Sequence, residues 1–120
     1  MLSVPAAVQV FLCLEPTDMR KGFDSLAAVV AEVLEQDPLS GHLFVFRSKR
    51  GDRLKVLYWN RHGYALWYTR LEEGVFRFPA GPQDARSLSV SAAELTMLLE
   101  GVELSSVRRT KRYGRSAKKV

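Results

Sequence analysis

The stretch from Gly41 to Pro79, GHLFVFRSKRGDRLKVLYWNRHGYALWYTRLEEGVFRFP, is the part of this chain that most narrows its possible folds. It holds nine of the twelve aromatic residues and both tryptophans. Apolar residues alternate with polar ones, and Gly-containing turns cut the stretch into short runs, the pattern of consecutive strands joined by hairpins. Leu43–Arg47, Arg53–Asn60, Tyr64–Leu71 and Val75–Phe78 read as strands. The turns between them are short, so neighbouring strands should pair antiparallel. Period-two alternation puts Leu54, Val56 and Tyr58 on one face of the central strand and Lys55, Leu57 and Trp59 on the other. It likewise separates Tyr64, Leu66, Tyr68 and Arg70 from Ala65, Trp67, Thr69 and Leu71.

The flanks supply one more strand and two helices. Ala7–Leu14 (AVQVFLCL) reads as a first strand ended by Glu15-Pro16. Thr17 and Asp18 offer N-cap oxygens to a helix from about Met19 to Gln36, although Gly22 moves its regular part toward Asp24. Phe23, Leu26, Ala27, Val30, Val33 and Leu34 share one face of that helix, suited to packing on a sheet. Asp37-Pro38 ends it, because the residue before proline avoids the α region. Ala80–Arg86 is a Gly/Pro-containing loop. Ser91-Ala92-Ala93-Glu94 is a capping box opening a helix through about Glu100, with Leu95, Leu98 and Leu99 as its apolar stripe and Gly101 as its C-cap. The expectation is an α+β domain over residues 1–104. A mainly antiparallel sheet of about four or five strands packs on one long helix and a shorter C-terminal helix. A basic tail, 105–120, lacks apolar periodicity and is predicted to stay disordered without a partner.

Charge is unevenly placed. The net charge is +5, yet the tail carries seven cations and no acid, while eleven Lys/Arg against thirteen Asp/Glu give the body −2. Arg108, Arg109, Lys111 and Arg112 are the densest part of the tail, and such a segment binds polyanions in a salt-dependent way or simply aids solubility. The single cysteine, Cys13, excludes an internal disulfide and lies in an apolar run, as a buried inert thiol would. No apolar run is long enough to span a membrane, and the N-terminus lacks a basic flank followed by an apolar stretch, so a cytoplasmic protein without membrane contact is expected.

Three places carry candidate chemistry. If a helix covers only one face of the sheet, aromatic rings such as Trp59 and Trp67 on the other face could stack bases beside Arg and Lys; otherwise they are core. The tip Ser48-Lys49-Arg50-Gly51-Asp52-Arg53, continuing to Lys55, could grip backbone phosphates or merely protect a strand edge. Arg20 and Lys21 at a helix start oppose the macrodipole, so they suit an anion there, or Arg20 pairs with an acid in the fold. His42 and His62 have no metal-ligand spacing with each other or with Cys13, so no metal and no cofactor is expected. Asp52-Arg53-Leu54-Lys55 faintly resembles a metal-dependent nuclease strand, but no second acid precedes a strand to complete it. No nucleophile elbow or phosphate-cradling Gly loop is present.

Five linked segments, taken in order, resemble a known family: Thr17–Leu26 (TDMRKGFDSL), Gly41–Phe46 (GHLFVF), Gly51–Trp59 (GDRLKVLYW), Gly63–Glu72 (GYALWYTRLE) and Gly74–Pro79 (GVFRFP). They are similar to the TnpB accessory protein, or second-open-reading-frame protein, of the insertion-sequence-66 class of bacterial mobile elements. This is distinct from the RNA-guided nuclease that shares the TnpB name. The resemblance covers roughly residues 5–100 and leaves the tail after Leu104 outside. It implies a protein encoded beside a separate, larger transposase and needed for efficient movement of the element, and it brings no catalytic residue with it. The expected function is therefore non-catalytic, with DNA, the transposase of the same element, or both as partners, and room for a homo-oligomer. Arg20, Lys21, Lys49, Arg50, Arg53 and Lys55 are the expected phosphate contacts, and Trp59 and Trp67 the expected stacking or docking rings. A metal-dependent nuclease using Asp18 and Asp52, or a protein-docking module that does not touch DNA, are the alternatives.

Overall fold

A computed structural model describes residues 7–101. Five strands and two helices follow in the order β1 (Val10–Cys13), α1 (Phe23–Glu32), β2 (Leu43–Arg47), β3 (Arg53–Trp59), β4 (Tyr64–Arg70), β5 (Ser87–Val90) and α2 (Ala92–Leu99). They build one sheet with strand order β4-β3-β2-β1-β5. The β2–β3 and β3–β4 pairs are antiparallel hairpins, as the short turns require. β1 and β2 are parallel, because α1 carries the chain over the sheet and returns it in the same direction. The fold is thus α+β with a mixed sheet.

The fifth strand is not where the sequence pattern puts it. Val75–Phe78 forms no ladder. Phe76 is buried, and its N–H donates to Gly51 O at 2.8 Å while its carbonyl accepts from Arg47 Nη1 at 3.0 Å. One anchored residue therefore holds this segment against the hairpin tip. The strand that completes the sheet is Ser87–Val90, antiparallel to β1 on the side away from β2. Its alternating Leu88 and Val90 are a short signal, and the partner that makes them a strand lies far back in the chain.

α1 is shorter than its apolar periodicity suggests. Its N-cap is Gly22, with no side-chain cap, and Asp18 opens a separate turn before it, the Lys21 N–H donating to Asp18 O at 3.1 Å. Asp18 instead accepts from the Arg20 N–H at 2.9 Å. The helix ends at Val33, and Glu35 takes a positive φ of 56°. Leu26 and Val30 form its buried stripe, continued by Leu34 after the helix ends, but Phe23 is 49% exposed. Phe23 is the first helical residue, and helical Cβ atoms tilt toward the N-terminus, so its ring projects past the helix rather than over the sheet. The capping box of α2 forms as its residues predict: Ser91 Oγ accepts from the Glu94 N–H at 3.0 Å, and Glu94 Oε1 from the Ser91 N–H at 2.9 Å.

Both sheet faces are covered. Leu26 and Val30 of α1, with Leu34 just beyond its end, pack with Phe11, Phe44, Phe46 and Leu57 on one face. Leu95 and Leu98 of α2 pack with Val10, Leu12, Val45 and Val56 on the other. The premise of one open aromatic face is therefore replaced by a three-layer core. Burying such a side chain contributes about 1.5–3 kcal/mol, so the buried parts of β1, β2 and β3 offer no stacking platform on either face, whereas β4 keeps partly exposed side chains along its length. Among the described residues no helix is long and apolar enough to cross a membrane.

Candidate nucleic-acid interface

Ser48 organises the tip between β2 and β3. Its hydroxyl accepts from the N–H groups of Gly51 at 3.2 Å and Arg53 at 3.1 Å, and donates to Asp52 Oδ1 at 3.3 Å. Gly51 sits at φ +86°, and a Cβ there would lie 3.2 Å from Val75 Cβ. Glycine thus allows both the left-handed turn and the close approach of the 75–76 segment. Lys49 and Arg50, between these two anchors, are exposed. Sequence alone includes Ser48 in this candidate tip without giving it a role, although a Ser three positions before a turn Gly is the available signal.

The Thr17–Lys21 segment is brought beside this tip. Thr17 N–H donates to Arg47 O at 2.9 Å. Lys55, 7% exposed, reaches from β3 to donate to Met19 O at 2.8 Å and Lys21 O at 2.7 Å. Its ammonium also lies 4.7 Å from the centroid of the Tyr68 ring. Lys55 therefore holds the segment to the sheet, and its donors are directed inside the protein.

The result is a groove of about 340 Å³ lined by Thr17, Asp18 and Met19 on one side and Ser48, Lys49, Arg50, Asp52 and Arg53 on the other. Two motifs separated in sequence share one concavity. Arg20 stands at its margin as the partner of Asp18: Nη2 lies 2.7 Å from Oδ2, and Nε donates to the same carboxylate at 3.1 Å. The side-chain and backbone hydrogen bonds from Arg20 hold the Asp18 carboxyl down, from the ordinary 3.8 to about 2. The Arg20 side chain stays 91% exposed, so the pair is solvated. Lys49, Arg50 and Arg53 outnumber the acids of the groove that lack a cationic partner, and the lip is positive.

Beside the groove, Arg53 and Arg70 face each other across β3 and β4. Like charges directly opposite are unfavourable unless an anion or a neighbour offsets them. Arg53 Nη1 donates to Tyr68 Oη at 3.4 Å, and Arg70 meets Glu72 at 3.5 Å in an exposed pair. With Thr69 these residues line a second depression of about 330 Å³. Tyr68 is 49% exposed, so an aromatic ring does stand beside these cations, though it is neither tryptophan.

Trp59 and Trp67 lie on opposite faces. Trp67 packs against the α2-side core, opposite Val56. Trp59 meets Tyr64 edge-to-face at 5.2 Å, at the end of β3 remote from Arg53. Seven strand residues put these ends about 20 Å apart, so neither tryptophan joins the groove. Elsewhere, Arg47 stacks 4.3 Å over Phe78, with burial lowering the pKa of its guanidinium. His42 Nδ1 accepts from the Gln9 N–H at 3.1 Å. Cys13 is buried, and burial raises the pKa of its thiol. Among the described residues no group of three or more His, Cys, Asp or Glu side chains is placed to hold a metal ion. Arg108, Arg109, Lys111 and Arg112 lie outside the described residues.

Fold and groove together define a small α+β protein with a polar, cation-lipped groove at a hairpin tip. The chain belongs to the IS66 Orf2-like protein family, TnpB_IS66, whose profile matches residues 8–109. The match runs past Leu104 and takes in Arg108 and Arg109, farther than the motif resemblance reaches. The family is one of transposition-associated accessory proteins. Two relatives from Sinorhizobium fredii (strain NBRC 101917 / NGR234) are similar over most of their length. "Uncharacterized protein y4jC" is 36% identical over 109 residues, 91% of this chain and 92% of that protein. "Uncharacterized protein y4hO" is 42% identical over 96 residues, 80% and 82% respectively. No solved structure is a significant match.

Proposed function

We propose that this chain is a non-catalytic accessory protein of DNA transposition that grips backbone phosphates through its hairpin groove and thereby helps the transposase of its element engage DNA. One observation carries the reading: the Thr17–Met19 segment and the Ser48–Arg53 tip form a single groove whose exposed lip is Lys49, Arg50 and Arg53. Cations spaced along a groove suit a phosphodiester chain, and contacts of this kind position a protein without reading sequence. Arg20, exposed but paired with Asp18, and Lys21 follow the Thr17–Met19 wall in the chain, while the cations of the tail add sequence-independent affinity. Lys55 serves by holding the Thr17–Lys21 wall in place rather than by touching phosphate. Trp67 packs against the α2-side core, and Trp59 with Tyr64 is left as a docking position for a protein partner.

The test is a salt titration of duplex and single-stranded DNA binding by fluorescence anisotropy. Three proteins are compared: the natural chain, Lys49→Ala/Arg50→Ala/Arg53→Ala, and Arg108→Ala/Arg109→Ala/Lys111→Ala/Arg112→Ala. Both variants should bind more weakly and with a shallower salt dependence. Absence of binding by the natural chain at low salt would remove the DNA part of the proposal. A loss confined to the tail variant would remove the groove from it.

A second reading has one observation in its favour, since Asp18 and Asp52 line the same groove. A metal-dependent nuclease built on them predicts magnesium- or manganese-dependent DNA cleavage that is abolished by Asp52→Ala. The Arg20 fork on Asp18 favours the non-catalytic reading, because it occupies the carboxylate oxygens a metal would need.

A further inference from the structure

The outer margin of β4 has a property that the groove does not use. In the β3–β4 hairpin, Asn60 N–H donates to Gly63 O at 3.0 Å, and Leu71 N–H donates to Asp52 O at 2.8 Å. With the register Val56↔Trp67, these bonds set the alternation of the ladder. The backbone groups of Ala65, Trp67 and Thr69 face β3. Those of Tyr64, Leu66, Tyr68 and Arg70 therefore point outward, and β4 is the last strand of the sheet on that side. Among the described residues nothing pairs with them.

Exposed edges are usually blunted by brevity, proline, a bulge or lysine. β4 has none of these: it runs seven residues in unbroken register with β3. β5, at the opposite edge, has only four. The residues along and beyond β4 are also self-complementary. Taken antiparallel about Trp67, Tyr64 meets Arg70, Leu66 meets Tyr68, and Ala65 meets Thr69. The turn Arg61-His62 falls beside Glu72-Glu73. A slip of two residues either way sets Leu66 or Tyr68 against its own twin and separates the opposite charges.

We propose that a second copy of this chain pairs with the free edge of β4, antiparallel and centred on Trp67, to make one sheet continuous across a two-fold dimer. Each outward N–H and C=O of Tyr64, Leu66, Tyr68 and Arg70 then has a backbone partner. The two Trp67 residues become a close, non-hydrogen-bonded cross-strand pair. Arg70 of each copy meets Tyr64 of the other, which already has Trp59 on its ring. Arg61 and Glu73 bracket the interface at both ends, fixing register by charge.

Sedimentation equilibrium on the full chain tests this, with a mass twice 13.5 kDa expected for the natural protein. Tyr68→Pro removes an outward N–H that the β3 ladder does not use, so it should give a folded monomer. Arg61→Glu and Glu73→Arg should each raise the dimer dissociation constant about tenfold, and the two together in one chain should restore it. These two sites are exposed turn positions, so they stay informative even if Tyr68→Pro fails to fold. A natural chain that is monomeric, including one whose edge takes a strand from a different protein, overturns the proposal. So does a dimer indifferent to a folded Tyr68→Pro, and so does a double charge swap no better than either single change.

Discussion

Lys55 Nζ donates to the carbonyl oxygen of Lys21 at 2.7 Å, across 34 positions of sequence, and to Met19 O at 2.8 Å. A cation that a sequence reading assigns to phosphate is thus the clamp that builds one wall of the groove. Lys55→Met keeps much of the stem's volume but leaves two carbonyls unpaired. It should destabilise the protein by about 2–3 kcal/mol in urea unfolding. The salt dependence of DNA binding should keep its slope in the folded fraction, whereas loss of a phosphate contact would lower it by about 0.9.

The Asp18–Arg20 pair gives an acid-side signature. The folded carboxyl titrates at about 2, below its ordinary 3.8, because Arg20 donates to it. A depressed carboxylate adds stability above the unfolded value and loses it as pH falls through the folded one. The contribution should therefore fade as pH drops from about 4 to about 2. Asp18→Asn should flatten that part of the stability profile, most clearly at low salt, since the pair is exposed and readily screened. Side-chain NMR titration of Asp18 checks the depressed value directly.

Gly51→Ala tests the tip. The change places a methyl 3.2 Å from Val75 Cβ at a φ of +86°. A cost of about 1–3 kcal/mol is expected from thermal unfolding, with strain at positive φ as its main source. Displacement of the 75–76 segment should follow, seen as loss of amide-exchange protection at Phe76, whose N–H donates to Gly51 O.

The two tryptophans should separate cleanly. Trp67 is partly buried against the α2-side core, so Trp67→Ala should cost about 2–3 kcal/mol of stability, less than loss of a fully buried ring. Trp59→Ala removes an edge-to-face contact with Tyr64 and should cost about 1 kcal/mol. Neither should change DNA affinity through the groove. Equilibrium unfolding beside anisotropy decides this.

Much of the fold could be read from local pattern because local physics produces it. The capping box at Ser91 and Glu94 closes over three residues. The alternation in β3 and β4 sorts side chains to the faces they occupy, and the short turns dictate antiparallel hairpins. Some of the site could be read in the same way, since Lys49 and Arg50 sit at a tip whatever surrounds it. Ser87–Val90 was less legible, because a four-residue strand is defined by its partner β1 and not by its own composition. Val75–Phe78 looked like a strand because burial of Phe76 and strand formation leave the same apolar trace. Arg20 pairing with an acid is one of the two readings the sequence offers, and its partner Asp18 is only two residues away, whereas the role of Lys55 is hidden for a related reason. A cation's task depends on what lies within hydrogen-bond reach, and reach across 34 positions exists only after the chain has folded.

Period, turn chemistry and capping act over a few neighbouring residues, and they are enough to specify the α+β class, the hairpins and the basic tip. Only long-range packing places helices on both sheet faces and sends Trp59 and Trp67 to opposite sides. It also made one groove from Thr17–Met19 and Ser48–Arg53. Those outcomes depend on which distant surfaces exclude water together, and no local pattern encodes that.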